Sequence, residues 1–369
     1  MSDSTRVAHL TSVHQRTDVR IFQKECASLS GHGYDVHLLV GDGHGNQVVK
    51  GISVHDIGTV SGRFKRMLVQ PWRMWRLARG LRASVYHFHD PELLPVGLLL
   101  QWGGAKVVYD THEDVPRAVL SKYWIRPWLR KLVAWSFECF ENFSARRLSA
   151  VVAATPHIAR RFAELNPQSV DINNYPLQSE LESPVNPKGD ARTVCYIGGI
   201  GRIRGAVEVV RALEAIDVRL ILAGPFESAS TEAELRALPG WAKVDYRGVV
   251  SRAAVREIMA ESRAGLLFFH PEPNHVDAQP NKMFEYMSAG LPVLASNFPL
   301  WRSLLAESGA GRCADPLKPA EIAGAIDALL AEPDAAKEMG ARGRRAVLER
   351  YRWTIEEAKL CKLYASLLA

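Results

Sequence analysis

Two carboxylates, Asp277 and Glu285, bracket the start of a short helix in the stretch Glu272–Pro299. Pro280 suits the first helical position, Gly290 suits the left-handed residue just past the end, and Pro292 prevents continuation. The preceding run, residues 264–269, reads as a buried strand, so the order is strand, loop, helix, strand. Open amides at a helix start, with roughly half an elementary charge from the aligned peptide dipoles, form an anion site. A carboxylate beside an anion site is useful only when the ligand also brings hydroxyls for it to accept from. A sugar joined to a phosphate brings both.

A second turn of the same kind lies upstream. Gly198-Gly-Ile-Gly-Arg-Ile-Arg-Gly205 joins a predicted strand, 193–197, to a predicted helix, 206–213. Glycines let the backbone approach a ligand closely, and Arg202 and Arg204 add permanent charge, which suits a diphosphate better than a monoanion. A Walker A loop would need a Gly-Lys-Ser/Thr ending, which is missing.

Stepping outward, the chain alternates strand and helix from its beginning, with strands expected at 7–13 and 34–40 and a helix at 21–31. The first turn lacks G-x-G-x-x-G, which argues against a simple dinucleotide fold. Arg16, Asp18 and Arg20 are placed there instead, at the strand edge where open α/β sheets bind ligands. Two further strands end in His87-Phe-His89-Asp90 and Asp110-Thr-His112-Glu113-Asp114. Their spacing is unlike a zinc-binding helix or a Cys/His cage, so a polar sugar pocket is expected and no metal. Gly41-Asp-Gly-His-Gly-Asn46 reads as a flexible turn.

Two basic, tryptophan-bearing segments stand out. Residues 63–82 hold seven Lys or Arg and no acid. On a helical wheel Met74, Leu77, Ala78 and Leu81 gather on one face, and Trp72, Trp75, Arg76 and Arg79 on the other, the pattern of a helix touching anionic headgroups. Residues 124–148 carry a wide apolar arc of Trp128, Leu132, Trp135, Cys139, Phe140 and Phe143, most of which is expected to be core. With 369 residues, 47% of them apolar, the chain is long enough for two full cores. Its net charge of +6 points to an anionic partner, and the five scattered cysteines read as small core residues of a reducing compartment. No signal peptide or membrane-spanning run is seen, so a cytoplasmic location is expected.

Asp277-x7-Glu285, continuing Tyr-Met-Ser-Ala-Gly-Leu-Pro-Val-Leu-Ala-Ser, resembles the E-x7-E-A-M-A-x-G-x-P-V signature of retaining, nucleotide-sugar-dependent glycosyltransferases of family 4. Cys195-Tyr-Ile-Gly-Gly-Ile-Gly-Arg-Ile-Arg-Gly is similar to that family's strand and glycine turn. Leu220-Ile-Leu-Ala-Gly-Pro and Val244-Asp-Tyr-Arg-Gly-Val look like its later strands, and Tyr351-Arg-Trp resembles the start of its last helix. The similarity covers most of residues 193–369 and is looser before them.

The resemblance implies an α/β GT-B fold, two Rossmann-like domains facing across a cleft, with no essential metal and no cofactor beyond a nucleotide-diphosphate sugar of UDP or GDP type. The absence of Asp-x-Asp agrees. By position, Glu285 would hold the ribose hydroxyls and Asp277 the donor-sugar hydroxyls. Arg204, aided by Arg202, would neutralise the diphosphate with the backbone around Gly198, Gly199, Asn281, Lys282 and Met283. His112 matches the family histidine near the anomeric carbon, which makes His112, Asp277 and Glu285 the expected catalytic residues. Arg16, Asp18, Arg20, His89 and Asp90 would lie on the acceptor side. Asp277 is one methylene shorter than the usual Glu, and Gly199 stands where many members have an arginine.

Expected boundaries are an acceptor-binding domain at 1–176, a linker at 177–192, a nucleotide-sugar domain at 193–351 and a helix at 352–369 returning to the first domain. The expected acceptor is a lipid-linked saccharide in cell-surface polysaccharide synthesis (capsule, lipopolysaccharide or exopolysaccharide), with the enzyme peripheral on the inner face of the membrane. An epimerase of the same fold, or a non-catalytic nucleotide-sugar scaffold, stays open. No nucleic-acid partner is expected, because no recognised binding module accompanies the basic helix.

Overall fold

A computed structural model describes residues 4–122, 125–181 and 190–369. Residues 182–189 of the expected linker, Trp124, and the side chains of Arg63, Lys65 and Arg66 lie outside the described set. Two compact units form: Met1–Asn174 together with Trp353–Ala369, and Tyr175–Arg352.

The first unit is built on eight strands: β1 (Arg6–Leu10), β2 (Asp35–Val40), β3 (Gln47–Val49), β4 (Ile52–Asp56), β5 (Val85–Phe88), β6 (Lys106–Thr111), β7 (Ala150–Ala153) and β8 (Ser169–Asp171). Their order is β3-β4-β2-β1-β5-β6-β7-β8, parallel except for β3. The second has six parallel strands, β9 (Thr193–Ile197), β10 (Arg219–Ala223), β11 (Val244–Gly248), β12 (Gly265–Leu267), β13 (Val293–Ser296) and β14 (Gly311–Ala314), in the order β11-β10-β9-β12-β13-β14. Helices cover both faces of parallel sheets, so central strands such as β9 and β13 are buried along their whole length. In each sheet the strand order reverses at one place, between β1 and β5 and between β9 and β12. Ligands of doubly wound sheets bind beyond the strand ends at such a point.

Local chemistry sets several boundaries. Gly290 closes the helix Asn281–Ala289 at φ 79°, and Pro280 caps its start. The helix expected over 21–31 begins earlier, as a wider π-type winding over Val19–Cys26, because the amides of Phe22 and Gln23 both donate to the Asp18 carbonyl at 3.0 and 3.2 Å. This winding carries Arg20, Lys24 and Glu25 into the interior. The turn at 41–46 is anchored rather than loose. Gly43 and Gly45 donate their amides to Asp56 at 3.2 and 2.8 Å, and Arg16 grips Asp42.

The terminal helix Trp353–Leu368 packs within the first unit. Trp353 Nε1 donates to Ser28 Oγ at 2.9 Å, and Glu356 accepts from the Asn173 amide at 2.7 Å.

The helix Arg63–Leu81 buries Met74 and Ala78, half-buries Trp75, Leu77 and Leu81 and exposes Trp72, Arg76 and Arg79. The helix Pro127–Ala145 corrects the sequence reading. Trp128, Leu132, Trp135, Cys139, Phe140 and Phe143 are exposed, and Ala134, Glu141, Ser144 and Ala145 are buried in their place. A glutamate, a serine and alanines do not read as a core face. Glu141 is tolerated because Tyr109 donates to it at 2.8 Å and Arg161 pairs with it. Cys139 is thus a surface thiol, whereas Cys26 and Cys195 are core residues.

Candidate active site

In the second unit the two sequence motifs meet the switch point of the sheet from its two sides. The Gly198–Gly205 turn leaves the end of β9, and the loop that leads into Asn281–Ala289 leaves the end of β12. Tyr286 ties the two together, since its hydroxyl accepts from the Ile197 amide at 3.0 Å. Tyr196 braces the turn from inside by donating to the carbonyls of Gly199 and Arg204 at 3.2 and 2.9 Å. Gly198 stands at φ 144°, and a Cβ on Gly224 would lie 1.8 Å from the Gly198 carbonyl oxygen, so these backbones touch as only glycines allow.

The charges here are unevenly spent. Arg202 is paired with Glu234 at 2.6 Å, on the surface. Arg204 is exposed, lies over the Phe269 ring at 5.3 Å and forms no ion pair among the described residues. A Cβ on Gly199 would come 3.7 Å from Arg204 Nε, in ordinary contact with the guanidinium. At the helix start the amides of Asn281 and Lys282 have no acceptor among the described residues, whereas Met283 N is turned back onto the Pro280 carbonyl at 3.0 Å. Lys282 and Glu285 form an ion pair one helical turn in. Asp277 is half-buried in the turn before the helix. The arrangement offers donors to an anion and a carboxylate to hydroxyls.

In the first unit the acids and histidines of four elements converge. Asp110 lies at the end of β6, fully buried. Arg20 grips it with Nε and Nη2, each at 2.9 Å, and donates its third nitrogen to the Ile172 carbonyl at 2.7 Å. Burial alone would raise the Asp110 carboxyl; Arg20 and His112 outweigh that and hold it well below the usual carboxylate range. Glu25 sits 3.1 Å from Arg20, but burial and then the Asp110 charge push its carboxyl well above the usual range.

An ionised Asp110 can only accept, and that fixes the rings around it. His112 Nε2 and His89 Nδ1 donate to it at 2.9 and 3.0 Å. His89 Nε2 therefore accepts from His9 Nδ1 at 3.0 Å, and His9 Nε2 accepts from the Tyr364 hydroxyl at 3.2 Å. Tyr364 in turn accepts from His87 Nδ1 at 3.0 Å. Burial lowers the pKa of His9, His87 and His89, so all three are neutral rings in this chain of bonds.

The remaining acceptor-side residues fall into separate places. Asp90 is buried and accepts from Thr11 Oγ1 at 2.8 Å and from the Ser12 amide at 2.6 Å, pinning the β1 turn. Asp18 caps the Val19–Cys26 helix through the Ile21 amide at 2.9 Å. Burial would raise Asp18, but His14 and that amide bring it down to about 2, and the same bond raises the pKa of His14. Arg16 is held by Asp42 at 2.7 Å and by the Gly45 carbonyl at 3.0 Å. Arg16, Arg20, His89 and Asp90 are thus buried and internally engaged, and His112 keeps 19% side-chain exposure beside them.

A family model described as "Glycosyl transferase 4-like domain" matches residues 19–175, and one described as "Glycosyl transferase-like" matches residues 202–359. The chain belongs to the GT-B glycosyltransferases. Its fold is similar to sucrose-phosphate synthase from Thermosynechococcus elongatus, with 18% identity over 99% of each chain and a TM-score of 0.78. It is also similar to HepE of Anabaena, solved with UDP and glucose, at 15% identity over 98% of this chain and 100% of that one, with a TM-score of 0.73. A glycosyltransferase from Rickettsia africae matches at 13% identity over 99% of both chains, with a TM-score of 0.70. Among curated proteins, none matches the chain in sequence.

Several residues of this glycosyltransferase escape a sequence reading. His270, just beyond β12, lies 3.0 Å from Glu208 and donates its backbone amide to the Ile203 carbonyl at 2.8 Å, beside the glycine turn. His9, Glu25 and Tyr364 join the Asp110 group from three distant segments. Glu25, His87, His89 and Asp110 bring ligand-type atoms within 4.8 Å of one another, with Arg20 as their cation. The one available signal was the parallel register that sets His9 opposite His87, and it is invisible until strand pairing is known.

Proposed function

We propose that the protein moves a sugar from a nucleotide-diphosphate donor of UDP or GDP type to a hydroxyl group, with retention at the anomeric carbon and without a metal ion. The observation that carries this reading is the β9–β12 switch point, where unpaired Arg204, the open amides of Asn281 and Lys282 and the Glu285 carboxylate stand on adjoining loops. The UDP and UDP-glucose complexes of HepE support the UDP alternative. In the reaction the bond from the anomeric carbon to the diphosphate oxygen breaks, a bond to the acceptor oxygen forms, and the acceptor proton is released. Charge grows on the departing oxygens, and donors already in place stabilise it without reorganisation. In this reading Glu285 holds the ribose and Asp277 the donor sugar, and His112 takes the role at the reacting carbon that the family resemblance assigns to it. Arg202 is the weaker assistant, since Glu234 already occupies it.

The acceptor in this reading is a lipid-linked saccharide, as in cell-surface polysaccharide synthesis, met at the inner face of the membrane. The exposed Trp72, Arg76 and Arg79 support a contact with anionic headgroups. A thermal-shift screen with UDP-, GDP- and ADP-sugars tests the donor, because a bound ligand raises stability by mass action. Transfer from the stabilising donor, measured in excess chelator with product anomers resolved, is expected to continue with retention. Donor isomerisation without acceptor, or binding without turnover on a broad acceptor panel, would overturn the assignment.

A further inference from the structure

The helix Pro127–Ala145 turns Trp128, Leu132, Trp135 and Phe143 outward at 63%, 50%, 64% and 39% exposure. With exposed Cys139 they form one line along the helix, at spacings of four, three, four and four residues. The helix Leu94–Trp102 packs beside it, and Arg63–Leu81 packs beside Leu94–Trp102 over the same core; they extend the surface with Leu99, Trp102 and Trp72. Four outward tryptophans on one helical layer exceed the scattered exposure normal for a soluble surface.

The charge around this surface has one sign. On Pro127–Ala145 the acids are withdrawn, Glu138 to Arg117 and Glu141 to Tyr109 and Arg161. Arg126, Lys131, Arg146 and Arg147 stay exposed at and near its ends. Arg76, Arg79 and Arg82 line, with Arg6, a cavity of about 790 Å³ at the end of Arg63–Leu81. No helix among the described residues is long and apolar enough to cross a membrane. An apolar stripe with tryptophans, flanked by arginine and lysine, suits the plane between headgroups and acyl chains.

We propose that the outer face of Pro127–Ala145 inserts into an anionic lipid surface, with Trp128 and Trp135 as anchors and the flanking basic residues on lipid phosphates. This rests on the membrane reading above, which places only the Trp72, Arg76 and Arg79 face at the surface, and it adds the element that enters it. A second copy of the chain is the less fitting occupant, since a symmetric contact would set the same cations against one another.

Flotation with vesicles of phosphatidylglycerol and phosphatidylethanolamine, and with phosphatidylcholine alone, tests this on the whole chain. The protein is expected to float with the anionic vesicles, and Trp128→Ser/Trp135→Ser to bind them at least tenfold less with an unchanged melting temperature. Maleimide labelling of Cys139, followed by peptide mass, is expected to slow at least tenfold when those vesicles are added. Full flotation of Trp128→Ser/Trp135→Ser, with loss in Trp72→Ser/Arg76→Ser/Arg79→Ser, would overturn the inserted helix and keep the membrane reading. No flotation of the unaltered protein would overturn both. A lipid-free dimer that shields Cys139 and dissociates in Trp128→Ser/Trp135→Ser would assign the face to a second copy instead.

Discussion

His112 Nε2 lies 2.9 Å from Asp110 Oδ2, and that same oxygen receives Arg20 Nε at 2.9 Å and His89 Nδ1 at 3.0 Å. The partly exposed ring is therefore held in place through Nε2, which is committed to a buried anion. An amide at position 110 cannot satisfy three donors at one atom. Asp110→Asn is expected to lower kcat by about 10²-fold through misplacement of His112. It should also cost about 3–5 kcal/mol of stability, because Arg20 is left buried and half paired. His112→Ala is expected to lose transfer with little change in melting temperature, and the two variants together separate position from stability.

Arg204 and Glu285 should behave as site residues rather than as framework. Arg204 is exposed and has no ion pair to lose among the described residues. Arg204→Ala is expected to lower kcat by about 10²–10³-fold, as for loss of one preorganised donor, with no shift in melting temperature. Glu285→Ala should abolish transfer in a folded protein, and full turnover in both variants would sink the donor-site assignment.

Acid should loosen the β1 turn at a defined place. The Arg16 hydrogen bonds hold the Asp42 carboxyl at about 2, against 3.8 for the free side chain. A carboxyl lowered by folding contributes stability that is fully present above about pH 4 and is lost as the pH falls toward 2. The melting-temperature gap between the unaltered protein and Asp42→Asn is therefore expected to be constant at neutral pH and to close below about pH 4. A gap that widens on acidification would contradict the pairing.

Gly265 is a packing requirement of the donor site. A Cβ there would stand 2.4 Å from the Tyr286 ring, whose hydroxyl receives the Ile197 amide. Gly265→Ala is expected to destabilise the protein by about 1–3 kcal/mol by overpacking and to weaken donor binding by moving the Ile197–Gly198 backbone. Denaturant unfolding and donor titration measure the two effects, and Tyr286→Phe should reproduce the second more than the first.

Some of this was open to reading and some was not. Pro280, Gly290 and Pro292 mark the helix Asn281–Ala289, and the glycines of 198–205 mark the phosphate-type turn, because turn and cap preferences are decided within a few residues. The alternation of strand and helix was legible for the same reason. The short β3–β4 hairpin was not, since its strands are brief and β3 lies largely at the surface.

The sequence by itself determined the two glycine- and proline-marked loops, the acids and arginines on them, and the α/β alternation that brings both loops to one end of a sheet. Tertiary structure decided which faces those elements show. The Pro127–Ala145 helix buries the side holding Glu141, because Tyr109 and Arg161 arrive from elsewhere to satisfy it, and this sends its tryptophans to solvent. Likewise Arg20 becomes a core residue and His112 an oriented one only because Asp110, 90 residues from Arg20, lies between them. A buried charge is stable only with its partner in place, and the partner is named by the fold, not by the neighbouring residues.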